Sequence, residues 1–309
     1  MRDEKRNGQK KRQSAGGSAG KKRMMLLSCI AVLLLVILSW CLWSFYSSKY
    51  SLTVTFYSLD TGKLEDTLRI VQLSDLHSHE FGEDNGELLE QVGALEPDLI
   101  FCTGDMINAG EDNSEMLQKL LENLTRIAPV YFSLGNHEIA YMENRGSTEL
   151  EEEVASAGAV YLNGTWEDVT LEGIGTVRIG GMYRYAFCPE GVSEEEYAKD
   201  RTAQFLKVYE DTDALRLLLV HRPDSFCFGD AGERWHVDLI FSGHAHGGQV
   251  RLPLLGGVYG GDLGWFSEYV GGLHTLGNCH MVISRGLGSS PNKIPRWNNI
   301  PEILVMDVR

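Results

Sequence analysis

Leu73-Ser74-Asp75-Leu76-His77 sets a carboxylate and an imidazole at the end of an apolar run, and four later runs end in the same way. They are Ile100-Phe101-Cys102-Thr103-Gly104-Asp105, Val130-Tyr131-Phe132-Ser133-Leu134-Gly135-Asn136-His137, Leu217-Leu218-Leu219-Val220-His221 and Leu239-Ile240-Phe241-Ser242-Gly243-His244-Ala245-His246. Each reads as a short buried strand, a turn, and a polar group able to bind metal. In an α/β sheet, ligands collect outside the carboxyl ends of the strands, so the five endings give function one address.

Between these endings the spacing predicts helices over 87–95, 114–127 and 149–157, the first stopping before Pro97 and the second with Leu117, Leu120, Leu121 and Leu124 on one face. A β-α-β-α-β order implies parallel strands with helices packed on them. Residues 159–182 change to short strands with Gly turns, as in a meander of a second sheet. A helix over 194–209 precedes strands at 215–220 and 237–241, and strands at 249–252, 280–284 and 303–308 close the chain.

The head of the chain is different. Residues 1–23 carry nine Lys/Arg and two Asp/Glu among Gly, Ser and Ala, the composition of a disordered basic tail. Residues 24–46 contain no charge and end in Trp40, Trp43, Phe45 and Tyr46, which suits a membrane-crossing helix with an aromatic belt. No small-residue cleavage site follows, so an uncleaved signal-anchor is expected in place of a removed signal peptide. The basic residues before the span put the amino terminus in the cytoplasm and the body outside it, as a single-pass protein of the cell membrane. Residues 47–65 are read as a linker and first strand, and 66–309 as one catalytic domain.

The net charge of −15 leaves 19 basic against 41 acidic side chains, or −22, for residues 24–309. Such a body repels a polyanion, and no nucleic-acid partner is expected. Six cysteines without a CxxC pair exclude a thiolate zinc site; the four in the body could pair in three ways. No HExxH helix exists for a metallopeptidase.

Asp75, His77, Asp105, Asn136, His221, His244 and His246 offer two carboxylates, one amide oxygen and four imidazoles. Seven ligands are too many for one tetrahedral ion and suit two ions that share a carboxylate. Mixed oxygen and nitrogen donors point to manganese, iron or zinc. The order D-x-H, GD, GNHE, H and GHAH, in Asp75-Leu-His77, Gly104-Asp105, Gly135-Asn136-His137-Glu138, His221 and Gly243-His244-Ala245-His246, resembles the calcineurin-like metallophosphoesterase superfamily. The run Gly243 to Pro253, with Ser284-Arg-Gly-Leu-Gly288 and Pro301-Glu302, is similar to its membrane-anchored bacterial branch.

The resemblance implies an α/β fold of two packed central sheets flanked by helices, an α/β/β/α arrangement, here preceded by one transmembrane helix. It also implies one metal on Asp75, His77 and His246, a second on Asn136, His221 and His244, and Asp105 bridging both. Hydrolysis of a phosphoester or pyrophosphate by a metal-bridging hydroxide follows, with His137 protonating the leaving group or stabilising the oxyanion. Arg285 and Arg296, in the late loop, are candidate substrate-binding residues. Glu138 is expected behind the ligands or in solvent, and His79 at the rim. Tethering favours a phosphorylated small-molecule, lipid-linked or envelope substrate. The alternative is a catalytically silent metal-binding sensor or binding module of the envelope.

Overall fold

The computed structural model describes residues 2–289 and 294–309, which fall into two units, Met1–Tyr46 and Ser47–Arg309. Helix α1 runs from Arg2 to Tyr50, and its stretch Lys21–Tyr50 is long and apolar enough to cross a membrane. It includes residues 2–23, for which composition predicts no ordered structure; no proline interrupts the stretch, and its Ala, Lys, Arg and Gln are good helix formers.

In the second unit, β1 (Thr53–Leu59) and β2 (Leu68–Leu73) are followed by α2 (Gly86–Ala94), β3 (Leu99–Cys102), α3 (Glu115–Leu124), β4 (Val130–Ser133), α4 (Asn136–Arg145), α5 (Glu149–Ser156) and β5 (Val160–Leu162). Strands β6 (Thr165–Leu171) and β7 (Gly175–Met182), helices α6 (Glu194–Tyr197) and α7 (Arg201–Tyr209), strand β8 (Leu215–Val220), short helices α8 (Asp224–Cys227) and α9 (Ala231–Arg234), and β9 (Leu239–Ser242) come next. Strands β10 (Arg251–Leu252), β11 (Gly256–Gly257), β12 (Gly272–Leu276), β13 (Cys279–Ile283) and β14 (Glu302–Val308) finish the chain.

Two six-stranded mixed sheets result, ordered β1-β14-β2-β3-β4-β5 and β12-β13-β9-β8-β7-β6. Strands β2 to β5 are parallel in the first sheet, and β7, β8, β9 and β13 in the second. The apolar runs are continuous because both faces of each central strand are buried, and the two-residue period divides their side chains. Leu99 and Phe101 of β3, Leu215, Leu217 and Leu219 of β8, and Phe241 of β9 fill the layer between the sheets. There Phe101 and Phe241 meet edge to face with centroids 4.9 Å apart. Ile100 and Cys102 turn outward against α2, α3 and α5, while Leu218 and Val220 turn toward α7. The layers are therefore helix, sheet, sheet, helix. Each fully buried Leu or Phe in them contributes about 1.5–3 kcal/mol over its exposed state.

Three expectations change in detail. The meander read over 159–182 is divided: β5 pairs parallel with β4 in the first sheet, and only the β6–β7 hairpin joins the second. Leu162 carries the same alternation as its neighbours but faces the inter-sheet layer from the other side, with the crossing at Asn163 and Gly164. The helix read over 194–209 is broken into α6 and α7, because Asp200 caps α7 through Oδ1, accepting from Thr202 N at 2.7 Å. Helix α4 is an additional element, beginning at the ligand candidate Asn136 itself. All six cysteines are thiols.

Candidate metal centre

The loops after β2 and β3 extend the strand pairing beyond the sheet: Asp75 N donates to Gly104 O at 3.0 Å, His77 N to Asp105 O at 2.9 Å and Ser78 N to Met106 O at 3.0 Å. This locks the two carboxylate-bearing turns together. Asp75, His77, Asp105, His244 and His246 all have positive φ, between 48° and 67°. Non-glycine residues rarely adopt that region, and such strain persists where surrounding structure over-determines it.

The surroundings do so here. Gly243 approaches so closely that a Cβ would lie 1.9 Å from Ser74 Oγ and 2.3 Å from Asp75 Oδ2. Ser74 Oγ donates to Asp75 Oδ2 at 2.7 Å and His244 N reaches both oxygens of Asp75 at 3.0 Å, so the carboxylate is oriented from two sides. Gln72, fully buried, donates from Nε2 to Thr103 Oγ1 and to Ser242 O, both at 2.8 Å, tying the first sheet to the end of β9 in the second.

The donor atoms form overlapping groups: Asp75, His77 and His246; Asp105, His221 and His244; and His77, Asp105 and His137, each group within 4.8 Å. His77 Nε2 lies 3.1 Å from His246 Nε2 and 3.8 Å from Asp105 Oδ2, and His221 Nε2 lies 3.3 Å from Asp105 Oδ2. Ring orientation is set from behind. His221 Nδ1 faces Thr103 O at 2.8 Å and His77 Nδ1 faces Asn108 Oδ1 at 3.2 Å, so each Nδ1 carries a hydrogen and each Nε2 is the atom turned inward, available to a metal once deprotonated. Two imidazole lone pairs aimed at one point repel each other unless a cation or proton lies between them. Asn136 Oδ1 is buried and makes no hydrogen bond, a cost of about 1–3 kcal/mol that ligation removes, while the equally buried Asp105 Oδ2 and His221 Nε2 face each other at 3.3 Å. The residues thus fit metal, and the donor set suits divalent ions bound by both oxygen and nitrogen.

Charge follows the same geometry. Burial opposes the charged form of His221, but Asp105 beside it prevails and raises the imidazole to about 9. Burial likewise works to raise Asp105, yet His221, with His77 and His137, holds it well below the usual carboxylate range. Asp75 is raised, by burial first and then by Asp105, against the pull of His221.

A model of the calcineurin-like phosphoesterase family matches residues 68–248. The chain belongs to that family. Among its relatives, the uncharacterized metallophosphoesterase YkuE of Bacillus subtilis is 28% identical over 252 residues, 79% of this chain and 80% of YkuE. The phosphodiesterase YaeI of Escherichia coli is 29% identical over 251 residues, 78% and 82% of the two chains. A dimetal phosphatase from Danio rerio superposes with a TM-score of 0.41 at 12% identity, covering 72% of this chain and 88% of the other. This calcineurin-like phosphoesterase is a hydrolase of phosphoester bonds, and its centre takes two divalent metal ions.

The structure brings together six of the seven ligand candidates in the metal-sized groups, along with His137. Asn136 lies in the first turn of α4, outside those groups, with its amide oxygen buried and without a hydrogen bond. The two arginines are placed otherwise. Arg285 is held by Glu302, to which its N and Nε donate at 2.8 and 2.9 Å. Arg296, buried, donates from Nε to Asn299 O and from Nη1 to Arg285 O and Gly288 O, leaving Nη2 without a hydrogen bond. His79 packs edge to face on Phe81 and stands outside the metal groups.

Sequence reading missed Asn108 and the importance of Glu138. Glu138 accepts from the amides of Asp105 and Met106 at 2.7 Å, Gly135 at 2.8 Å and Ile107 at 3.2 Å. It therefore shapes the Asp105 turn from behind. Burial, reinforced by Asp105, raises its carboxyl to about 7 against the pull of those amides. Its position three residues after Gly135, reaching back to the N-cap amide, was the available signal. Asp262 was also unread; its Oδ2 accepts from Arg222 Nη2 at 2.6 Å and lies 3.5 Å from His244 Nε2.

Proposed function

We propose that this phosphoesterase is tethered to the membrane with its body on the non-cytoplasmic side, and that it hydrolyses a phosphodiester or pyrophosphate there. In this reading Asp75, His77 and His246 hold one ion, Asn136, His221 and His244 the other, and Asp105 bridges them. The observation that carries the reading is the convergence of buried donor atoms around Asp105, whose Oδ2 faces His221 Nε2 at 3.3 Å and His77 Nε2 at 3.8 Å. Bound divalent ions lower the pKa of water and neutralise phosphoryl oxygens in the transition state; manganese, iron and zinc all suit the donors. The phosphodiesterase name of the Escherichia coli relative favours a diester.

The chain's own groups do the rest. Asp105 Oδ1 accepts the His137 amide at 2.7 Å, which keeps Oδ2 turned inward. His137 Nδ1 accepts from Ala109 N at 3.1 Å, so the neutral ring carries its proton on Nε2. From there it protonates the departing oxygen or donates to a phosphoryl oxygen. Neither arginine is assigned to substrate in this reading, since Arg285 is committed to Glu302 and the buried Arg296 guanidinium donates to the carbonyls of Arg285, Gly288 and Asn299. His137→Ala is expected to keep both metals by elemental analysis while turnover drops about 10²–10⁴-fold. Undiminished turnover would remove His137 from the mechanism.

Topology rests on the nine basic residues that precede the span. A reporter fused after Arg309 that works only outside the cytoplasm is expected to be active. Activity of a cytoplasm-only reporter at the same site would reverse the orientation.

A further inference from the structure

After the metal-binding loop, residues 250–266 fold into a small meander: β10 pairs with β11, Tyr259 bridges Trp265, and Phe266 N donates to Val258 O at 2.9 Å. One part of it belongs to the site. Tyr259, Gly261 and Asp262 join His244, Ala245 and His246 in lining a cavity of about 380 Å³, and Asp262 is fastened to Arg222. The remainder projects apolar side chains into solvent. Leu254 is fully exposed, Leu255, Trp265 and Phe266 are 66, 68 and 55% exposed, and Ile294 at the cavity mouth is 52% exposed. From Pro253 to Phe266 the only charge is Asp262, and that carboxylate is engaged by Arg222.

A body with a strong excess of acidic residues rarely gathers four large exposed apolar side chains in so short a stretch unless a partner covers them. Leu, Trp and Phe at a nearly uncharged loop tip are the side chains that settle at a bilayer interface. The chain supplies that bilayer itself. Ser51 and Leu52 alone separate the last residue of α1 from β1, so a membrane crossed by α1 is offered to the body at high effective concentration. A second copy of the chain is disfavoured as the cover, because two acidic bodies repel.

We propose that the 253–266 meander seats Leu254, Leu255, Trp265 and Phe266 in the interface of the membrane that α1 crosses, and that the cavity behind it takes the phosphoester headgroup of an amphiphile. The second part rests on the phosphoesterase reading of the same site. An amphiphile reaches the metals without leaving the interface, its headgroup passing Tyr259 and Ile294 while its apolar part stays beside the docked leucines.

The test uses the full chain in liposomes of phosphatidylethanolamine and phosphatidylglycerol. Leu254→Cys is labelled with bimane in a background of Cys29→Ser, Cys41→Ser, Cys188→Ser and Cys227→Ser, leaving the buried Cys102 and Cys279. Docking is expected to shift bimane emission to the blue and to expose it to quenching by doxyl-labelled lipid. An unquenched label overturns docking, and a blue shift that grows with protein density without quenching assigns the patch to a second copy.

Hydrolysis supplies the other arm, with the p-nitrophenyl ester of phosphatidic acid against soluble bis-p-nitrophenyl phosphate. Leu254→Ser/Leu255→Ser/Phe266→Ser is expected to lose at least about tenfold on the lipid ester and to stay within about twofold on the soluble one. Equal effects on both, or wild-type activity on the soluble ester alone, overturn the amphiphile as substrate. A wild-type chain that holds two metals and cleaves neither ester defeats the phosphodiesterase reading on which the amphiphile rests, while docking still stands or falls on the quenching.

Discussion

Asp105→Asn is expected to reduce metal-dependent turnover on the order of 10³-fold or more, equivalent to about 4 kcal/mol of barrier, while the protein remains folded. Asn has the same shape as Asp, and its amide oxygen can still accept the His137 amide that now donates to Asp105 Oδ1. What is lost is the single buried negative charge that lies within 3.8 Å of His77 and 3.3 Å of His221. Elemental analysis of the variant should show fewer than two metals per chain. Wild-type turnover in Asp105→Asn would remove the bridging carboxylate from the account.

The same substitution has a consequence for the metal-free chain. His221 has a raised pKa, so its pairing with Asp105 stabilises the fold fully below the unfolded imidazole value and is lost as pH rises through about 9. Asp105 is depressed, so its share is present above the ordinary carboxylate range and lost as pH falls below it. Metal-free wild type should therefore lose thermal stability between neutrality and pH 10 by more than Asp105→Asn does. Parallel profiles in thermal melts would argue against the pairing.

Glu138→Leu is expected to have the largest effect on stability. Its carboxylate receives four backbone amides in a fully buried position, and at about 1 kcal/mol for each stranded donor the loss is ~4 kcal/mol. For a body of this size that lowers the melting temperature by roughly 10 °C. Glu138→Gln should fall between, because its amide group faces donors with donors at one of the two oxygens. Metal affinity should decline with stability, since the amides of Asp105 and Met106 set the turn that presents the bridging ligand. A Glu138→Leu protein that melts with the wild type would show that solvent or neighbouring groups satisfy those amides.

Five strand ends were legible in the sequence because strands buried on both faces must be almost wholly apolar. A polar residue that follows immediately then stands out as an address. The four-layer arrangement was legible through the family resemblance, and its physical expression is the division of Leu99 and Phe101 from Ile100 and Cys102. Periodicity could not assign β5 to a sheet, since Leu162 alternates equally well on either side of the inter-sheet layer. Glu138 resembled any helical acid, because its function lies in four main-chain partners that leave no residue pattern. Arg285 and Arg296 were plausible by type alone; the ion pair with Glu302 is a tertiary fact.

The central claim is that two metals held around Asp105 carry out phosphoester hydrolysis. It is tested most directly by titrating metal-depleted full-length chain with Mn²⁺ while following bound metal and the hydrolysis of phosphomonoesters, phosphodiesters and nucleoside-diphosphate-linked lipids. The account predicts that turnover of at least one class rises to a plateau at two metals per chain and disappears with chelator. Two bound metals with no turnover of any class, or full turnover at one metal, would contradict it.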